Sequence, residues 1–217
     1  NWAIWLHEYL KDFKGQEDAL RYTLCATAPE AKDTDFTWVE FQSRNNNELV
    51  SIFGNFINRV VVLTNKYWGG NVPSQNTIDK YDEKILKELS ESPNKIGKSI
   101  EKFKFKEALI ELMKLARLGN KYLADTEPWK LKSTNEKRTE TVLNIALQIA
   151  ASLAVLCEPF MPFSSQKLKK ILALDNLSWN DAGGMIFEQG HKINQAVHLF
   201  EKIEDKTIDA QIKKLKK

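Results

Sequence analysis

Ser51, Asn55 and Arg59 recur at four-residue intervals, so on a helix they stack along one line. The apolar stripe Leu49, Phe53, Phe56, Val60 and Leu63 occupies a neighbouring face about 100° away, which leaves the polar line outside the core. Asn offers a donor and an acceptor side by side, which match the edge of a nucleobase, and Arg offers a planar fork with a fixed positive charge. Such pairs also decorate many solvated helices, so a second feature is needed. It lies in Thr126-Glu127-Pro128-Trp129-Lys130, read as a loop, where Pro128 stiffens the backbone and a large aromatic stands among polar and basic residues. An indole held this way is a platform on which a base can stack, whereas most of the chain's six Trp must be packing residues.

Signatures of catalysis are scarce. Gly97-Lys98-Ser99 has the ending of a phosphate-binding loop, but Ser92 stands where that motif requires glycine and no strand precedes it. His7, His191 and His198 have no metal-ligand spacing and none suggests a triad. Cys25 and Cys157 lie far apart in apolar stretches, which excludes a disulfide framework or a Cys-x-x-Cys zinc knuckle and fits a reducing cytosol. No catalytic residue and no metal ligand is assigned.

The elements that must position these residues read as all-α. Short helices are expected at about 2–13 and 16–28, separated by Gly15, with Asp33 or Asp35 as N-cap of the next. That third element runs to Trp68, with a break near Asn45 to Asn47, and stops at Gly69-Gly70-Asn71-Val72-Pro73. Helices at 79–92 and 94–103 divide at Pro93, and 105–124 carries the stripe Phe105, Leu109, Leu112, Ala116, Gly119 and Leu123. The helix at 136–158 is apolar on nearly every side and belongs at the centre of a bundle. Pro159 and Pro162 bracket a kink before a helix at 164–174, an irregular stretch around Gly183, Gly184 and Gly190 follows, and a charged helix occupies 205–217.

The composition, 42% hydrophobic and 28% charged over 217 residues, is that of a chain that folds around a real core. Net charge is only +3, yet Lys95 to Arg138 holds 12 basic against 6 acidic residues and Lys213 to Lys217 adds four more positive charges. One zone is therefore basic on an otherwise acidic body, which on charge alone reads as a solvated helical surface before it reads as a footprint for a nucleic acid. The longest apolar run, Val142 to Cys157, has 16 residues interrupted by Asn144, Gln148 and Ser152, short of a bilayer span. The chain opens on Asn1 with no basic leader, which reads as a piece of a longer protein rather than a signal peptide.

Asn55-Phe56-Ile57-Asn58-Arg59 on a long helix, followed about seventy residues later by Tyr122-Leu123-Ala124-Asp125-Thr126-Glu127-Pro128-Trp129, resembles the anticodon-binding domain of the methionyl-tRNA synthetases, a class I family. The family carries Asn-x-x-x-Arg on the helix and ends the later segment in Pro-Trp. Asp18-Ala19-Leu20-Arg21-Tyr22 is similar to the helix after the family's K-M-S-K-S loop, Asp35 to Arg44 to the start of its first bundle helix, and Phe200 to Ile212 to its closing linker helix. The resemblance implies a stem-contact segment at 1–34, an anticodon-binding bundle at 35–175, and an extension with a linker helix at 176–217. It implies recognition of the C-A-U anticodon of tRNA(Met), with Trp129 stacking on the first base and Asn55 and Arg59 bonding to it. Ser51, where relatives often carry Asn, and Pro128 are the further candidates for the pocket.

The resemblance also accounts for the missing active site. The H-I-G-H and K-M-S-K-S motifs, which bind ATP, and the family's zinc-binding insertion belong to an upstream catalytic part, and this chain holds neither motif; Lys130-Leu131-Lys132-Ser133 is a poor look-alike. No cofactor is expected on the chain itself. The partners implied are tRNA(Met) and the protein's own catalytic domain, against which Trp2, Trp5, Leu6 and Tyr9 would pack, with no membrane and a cytoplasmic location. The bundle also serves the valine, leucine, isoleucine and cysteine enzymes, and a helical scaffold gripping a protein partner through its apolar N-terminus is the alternative outside enzymes.

Overall fold

The computed structural model describes residues 4–30 and 33–215; Trp2 and the terminal Lys216 and Lys217, which figure in the sequence reading, lie outside them. The fold is all-α, and among the described residues the only strand-like pairing is an isolated bridge between Asn71 and Lys192. Two short helices, α1 (Leu6–Asp12) and α2 (Glu17–Ala26), precede α3 (Trp38–Arg44), which runs into a π-helical segment (Asn45–Gly54) and then α4 (Asn55–Trp68). The bundle continues with α5 (Lys80–Glu101), α6 (Phe105–Thr126), the one-turn α7 (Pro128–Leu131), α8 (Glu136–Leu156) and α9 (Pro162–Leu172). A 3-10 turn (Trp179–Asp181) and α10 (Asp205–Lys214) close the chain.

Three local expectations are corrected. The N-cap of α3 is Thr37, whose hydroxyl accepts from the Glu40 N–H, rather than Asp33 or Asp35. The break near Asn45 to Asn47 is not a break but the start of π winding, in which each N–H reaches five residues back. Pro93 does not divide α5. Its missing N–H would orphan the Leu89 carbonyl one turn earlier, and the Ser92 hydroxyl donates to that carbonyl at 2.7 Å, so the helix continues. Asp79 starts α5 with a reciprocal capping box to Asp82.

α8 is the axis of the bundle, packed against α4, α5, α6, α7 and α9. The 16-residue apolar run belongs to a 21-residue helix that meets the length and composition of a membrane span, but 94% of its most apolar window is buried inside the fold, as a central bundle helix requires. Its polar interruptions dock irregular backbone. Asn144 donates to the Pro73 carbonyl, Gln148 accepts from Ile186 and Phe187 N–H and donates to Phe187 O, and Ser152 accepts from Gly183 N–H. Spaced four apart, they line one face, so both the segment between α4 and α5, through Asn144, and the stretch after α9, through Gln148 and Ser152, are held to the core by satisfied buried polar groups as well as by apolar contact. The tail then returns to the first elements, with Gln42 bonded to Ile203 O and Asp205, and Gln211 and Lys214 bonded to Asp12.

Candidate nucleic-acid interface

α4 and α6 cross at Gly119. A Cβ there would lie 2.4 Å from the buried Phe56 ring, so only glycine lets the two helices approach this closely. That approach brings the next residue of α6, Asn120, against the polar line of α4. The Asn120 amide nitrogen donates to the Ile52 carbonyl at 2.8 Å, at the end of the π segment, and to Ala116 O at 3.3 Å. Its carbonyl oxygen accepts from Asn55 Nδ2 at 3.1 Å and from Arg59 Nη1 at 3.5 Å.

Trp129 enters from the far end of α6. Glu127 closes α6 in the left-handed region, φ 44° and ψ 55°, and its N–H still bonds to Leu123 O. Pro128 then sits at the first position of α7, where its missing N–H is harmless and its fixed φ suits a helix start. The expected loop is thus a strained corner followed by a single helical turn. A salt bridge from Lys130 to Glu127 spans the corner at 2.7 Å. The result places the Arg59 guanidinium 5.3 Å from the centroid of the Trp129 ring, a cation–π contact, while Trp129 keeps 38% of its surface exposed.

Of the residues singled out in the sequence, Asn55, Arg59 and Trp129 therefore meet in one open cluster. Ser51 is exposed one turn away and its hydroxyl donates to the Asn46 carbonyl at 2.7 Å, inside its own segment. Pro128 is buried beneath the corner, where it positions its neighbour. Asn120 was not found by sequence reasoning. The available signal was a Gly-Asn pair, two weak helix formers, in the middle of a strongly amphipathic helix. Nearby, Lys132 covers the Trp68 ring at 4.5 Å, and no carboxylate among the described residues pairs with Arg59.

Chemically the cluster offers a partly exposed indole with a guanidinium over its ring, a positive charge that no acid among the described residues pairs with, and a hydrogen-bonding amide. That set can stack on a planar base and bond to its edge. It holds no nucleophile and no acid–base pair, and no group of three or more His, Cys, Asp or Glu converges among the described residues. Cys157 is fully buried and burial pushes its thiol up; burial likewise raises Cys25.

The family model described as the anticodon binding domain of methionyl tRNA ligase matches residues 72–216, and that of class I tRNA synthetases (M) matches residues 1–61. A methionine–tRNA ligase of Phocaeicola vulgatus is 55% identical over 99% of this chain, and one of Flavobacterium psychrophilum is 58% identical over 99%. The chain spans 32% of the length of each of these curated relatives. Among solved structures, the free methionyl-tRNA synthetase of Mycobacterium tuberculosis matches 86% of this chain and 39% of its own, with a TM-score of 0.81 at 22% identity, a likeness of fold. Those matches rest on the methionine enzymes and not on those for valine, leucine, isoleucine or cysteine: the chain belongs to the methionyl-tRNA ligase family and carries its anticodon-binding domain.

Proposed function

We propose that the chain recognises the C-A-U anticodon of tRNA(Met), Trp129 stacking on the first base while Asn55 and Arg59 bond to its edge. The observation that carries this reading is the meeting of an exposed indole, a guanidinium over its face and an amide, drawn from helices seventy positions apart. Stacking and edge bonding together are how proteins read unpaired bases in RNA loops. Residues 1–34 serve as a stem-contact segment, 35–175 as the anticodon bundle, and 176–217 as an extension with a linker helix. Ser51 and Pro128 border the pocket.

The whole enzyme, in this reading, charges tRNA(Met) with methionine in the cytoplasm, using ATP in an upstream catalytic part that also carries any zinc. The exposed apolar side chains of Trp5 and Leu6, joined by Leu10 on α1 and Val39 on α3, face that part; Tyr9, expected with them, is instead buried in the core, its hydroxyl bonded to the Gln16 carbonyl. The chain alone binds tRNA but does not aminoacylate it. Filter binding of a C-A-U stem-loop against the same loop with U-A-U tests the reading: a clear preference for the first is expected, and equal affinity overturns it.

A further inference from the structure

Hydrogen-bond direction in the cluster goes further than the reading above, on which the following rests. The Ile52 carbonyl can only accept, so the Asn120 atom 2.8 Å from it must be the amide nitrogen, and the carbonyl oxygen of Asn120 must face α4. That oxygen can likewise only accept, so Asn55 must turn its own Nδ2 toward it, at 3.1 Å. The Asn55 carbonyl oxygen is left pointing away, with no donor upon it among the described residues, on an exposed side chain. Arg59 adds donors alone. The surface offered to a base is therefore one acceptor beside donors, in a fixed order.

We propose that Asn120 is a positioning residue that makes the pocket select cytosine over uracil by fixing the polarity of the Asn55 amide. Cytosine carries an exocyclic amino donor at C4 and acceptors at N3 and O2, complementary to the Asn55 carbonyl and the Arg59 guanidinium in that order. Uracil carries an acceptor at C4 and a donor at N3, so at these two positions like would meet like while O2 alone stays complementary, and unpaired polar groups in a closed contact are what rejects a wrong ligand. A freely turning Asn55 could offer its Nδ2 to uracil instead. The chain of fixed directions, Ile52 carbonyl to Asn120 to Asn55, denies it that turn, and Gly119 makes the chain possible by letting α6 come close.

The test uses the 217-residue chain with C-A-U and U-A-U stem-loops. The parent should prefer the first by about tenfold or more, the range for a well-made edge contact. Asn120→Ala and Asn120→Ser, each checked for folding by thermal melting, should bring the two loops to within about twofold while leaving the salt dependence of binding as in the parent. Variants that weaken both loops equally and keep the parent's ratio would make Asn120 merely structural and overturn the proposal. A third loop, carrying pyrimidin-2-one in place of the first base, works on the parent alone. With Asn55 held, the order is cytosine, then pyrimidin-2-one, then uracil; uracil binding as well as pyrimidin-2-one would mean that the amide turns and would also overturn it. If the parent binds C-A-U and U-A-U alike, the anticodon reading itself has failed, and this proposal with it.

Discussion

Two arginines flank the C-terminal half of α6, and they are held in opposite ways. Arg138, on α8, meets Asp82 through both guanidinium nitrogens, one of them at 2.9 Å, and also reaches Asp79 at 3.1 Å. Asp82 is fully buried and accepts from the Tyr122 hydroxyl at 2.6 Å as well. Burial pushes its carboxyl up, but the bonds from Arg138, Tyr122 and the Asp79 N–H outweigh that and hold it below its ordinary 3.8. Tyr122, in the same network, is raised far above its ordinary value by burial and by its bond to Asp82. Arg59, by contrast, has a neutral amide at 3.5 Å and the face of an exposed ring. One arginine has its charge cancelled inside the fold; the other meets no acid among the described residues. Partner charge, more than burial, distinguishes a structural arginine from one available to a ligand.

That contrast can be broken by substitution. Arg138→Met should cost the most, about 3–5 kcal/mol of stability, because it leaves the buried Asp82 carboxylate without its cation; denaturant melts read the loss, and a cost under about 1 kcal/mol would show that the pair is not the clamp described. Acid should close the same gap. The parent keeps the Asp82 contribution above the ordinary value of 3.8 and loses it as pH falls through the lower folded value, whereas the variant's unpaired carboxyl protonates readily. A difference in melting temperature that stays constant from pH 7 to about 3 would contradict this account.

On the open side the losses should fall on binding. Trp129→Ala is expected to weaken the C-A-U loop by about 1–3 kcal/mol with little change in melting; unchanged affinity would remove the stacking role. Arg59→Ala should move stability by less than about 0.5 kcal/mol. It should also flatten the salt dependence of binding by about one unit, and a variant that melts early instead would erase the distinction between the two arginines.

How much of this could be seen in the sequence follows from range. Asn55, Arg59 and Trp129 could be singled out because helical spacing and a Pro-Trp corner are local signals, although only the family resemblance lifted them above ordinary solvated and packing residues. Asn120 was not, since its contacts exist only where α6 crosses α4, an approach set by Gly119 and Phe56 rather than by any spacing. Asn144, Gln148 and Ser152 looked like interruptions in an apolar run, and their partners lie on backbone between 31 and 71 positions away. Pro93 misled for a related reason. A proline predicts a lost bond, but the serine before it replaces that bond, which a rule about proline alone does not contain.

The π-wound stretch Asn45–Gly54 has a consequence for any comparison of lengths. Each of its residues advances the chain through a smaller angle than an α residue does, so it acts as a phase shifter between the aromatic face of α3 and the polar line of α4. Removing one residue there would turn the polar line of α4 by about 100° relative to α3, so the helix could not keep both the aromatic face of α3 and its own contact with α6 in register, while composition stays almost untouched. An alignment gap at that point is therefore a change of aim, whatever it does to packing.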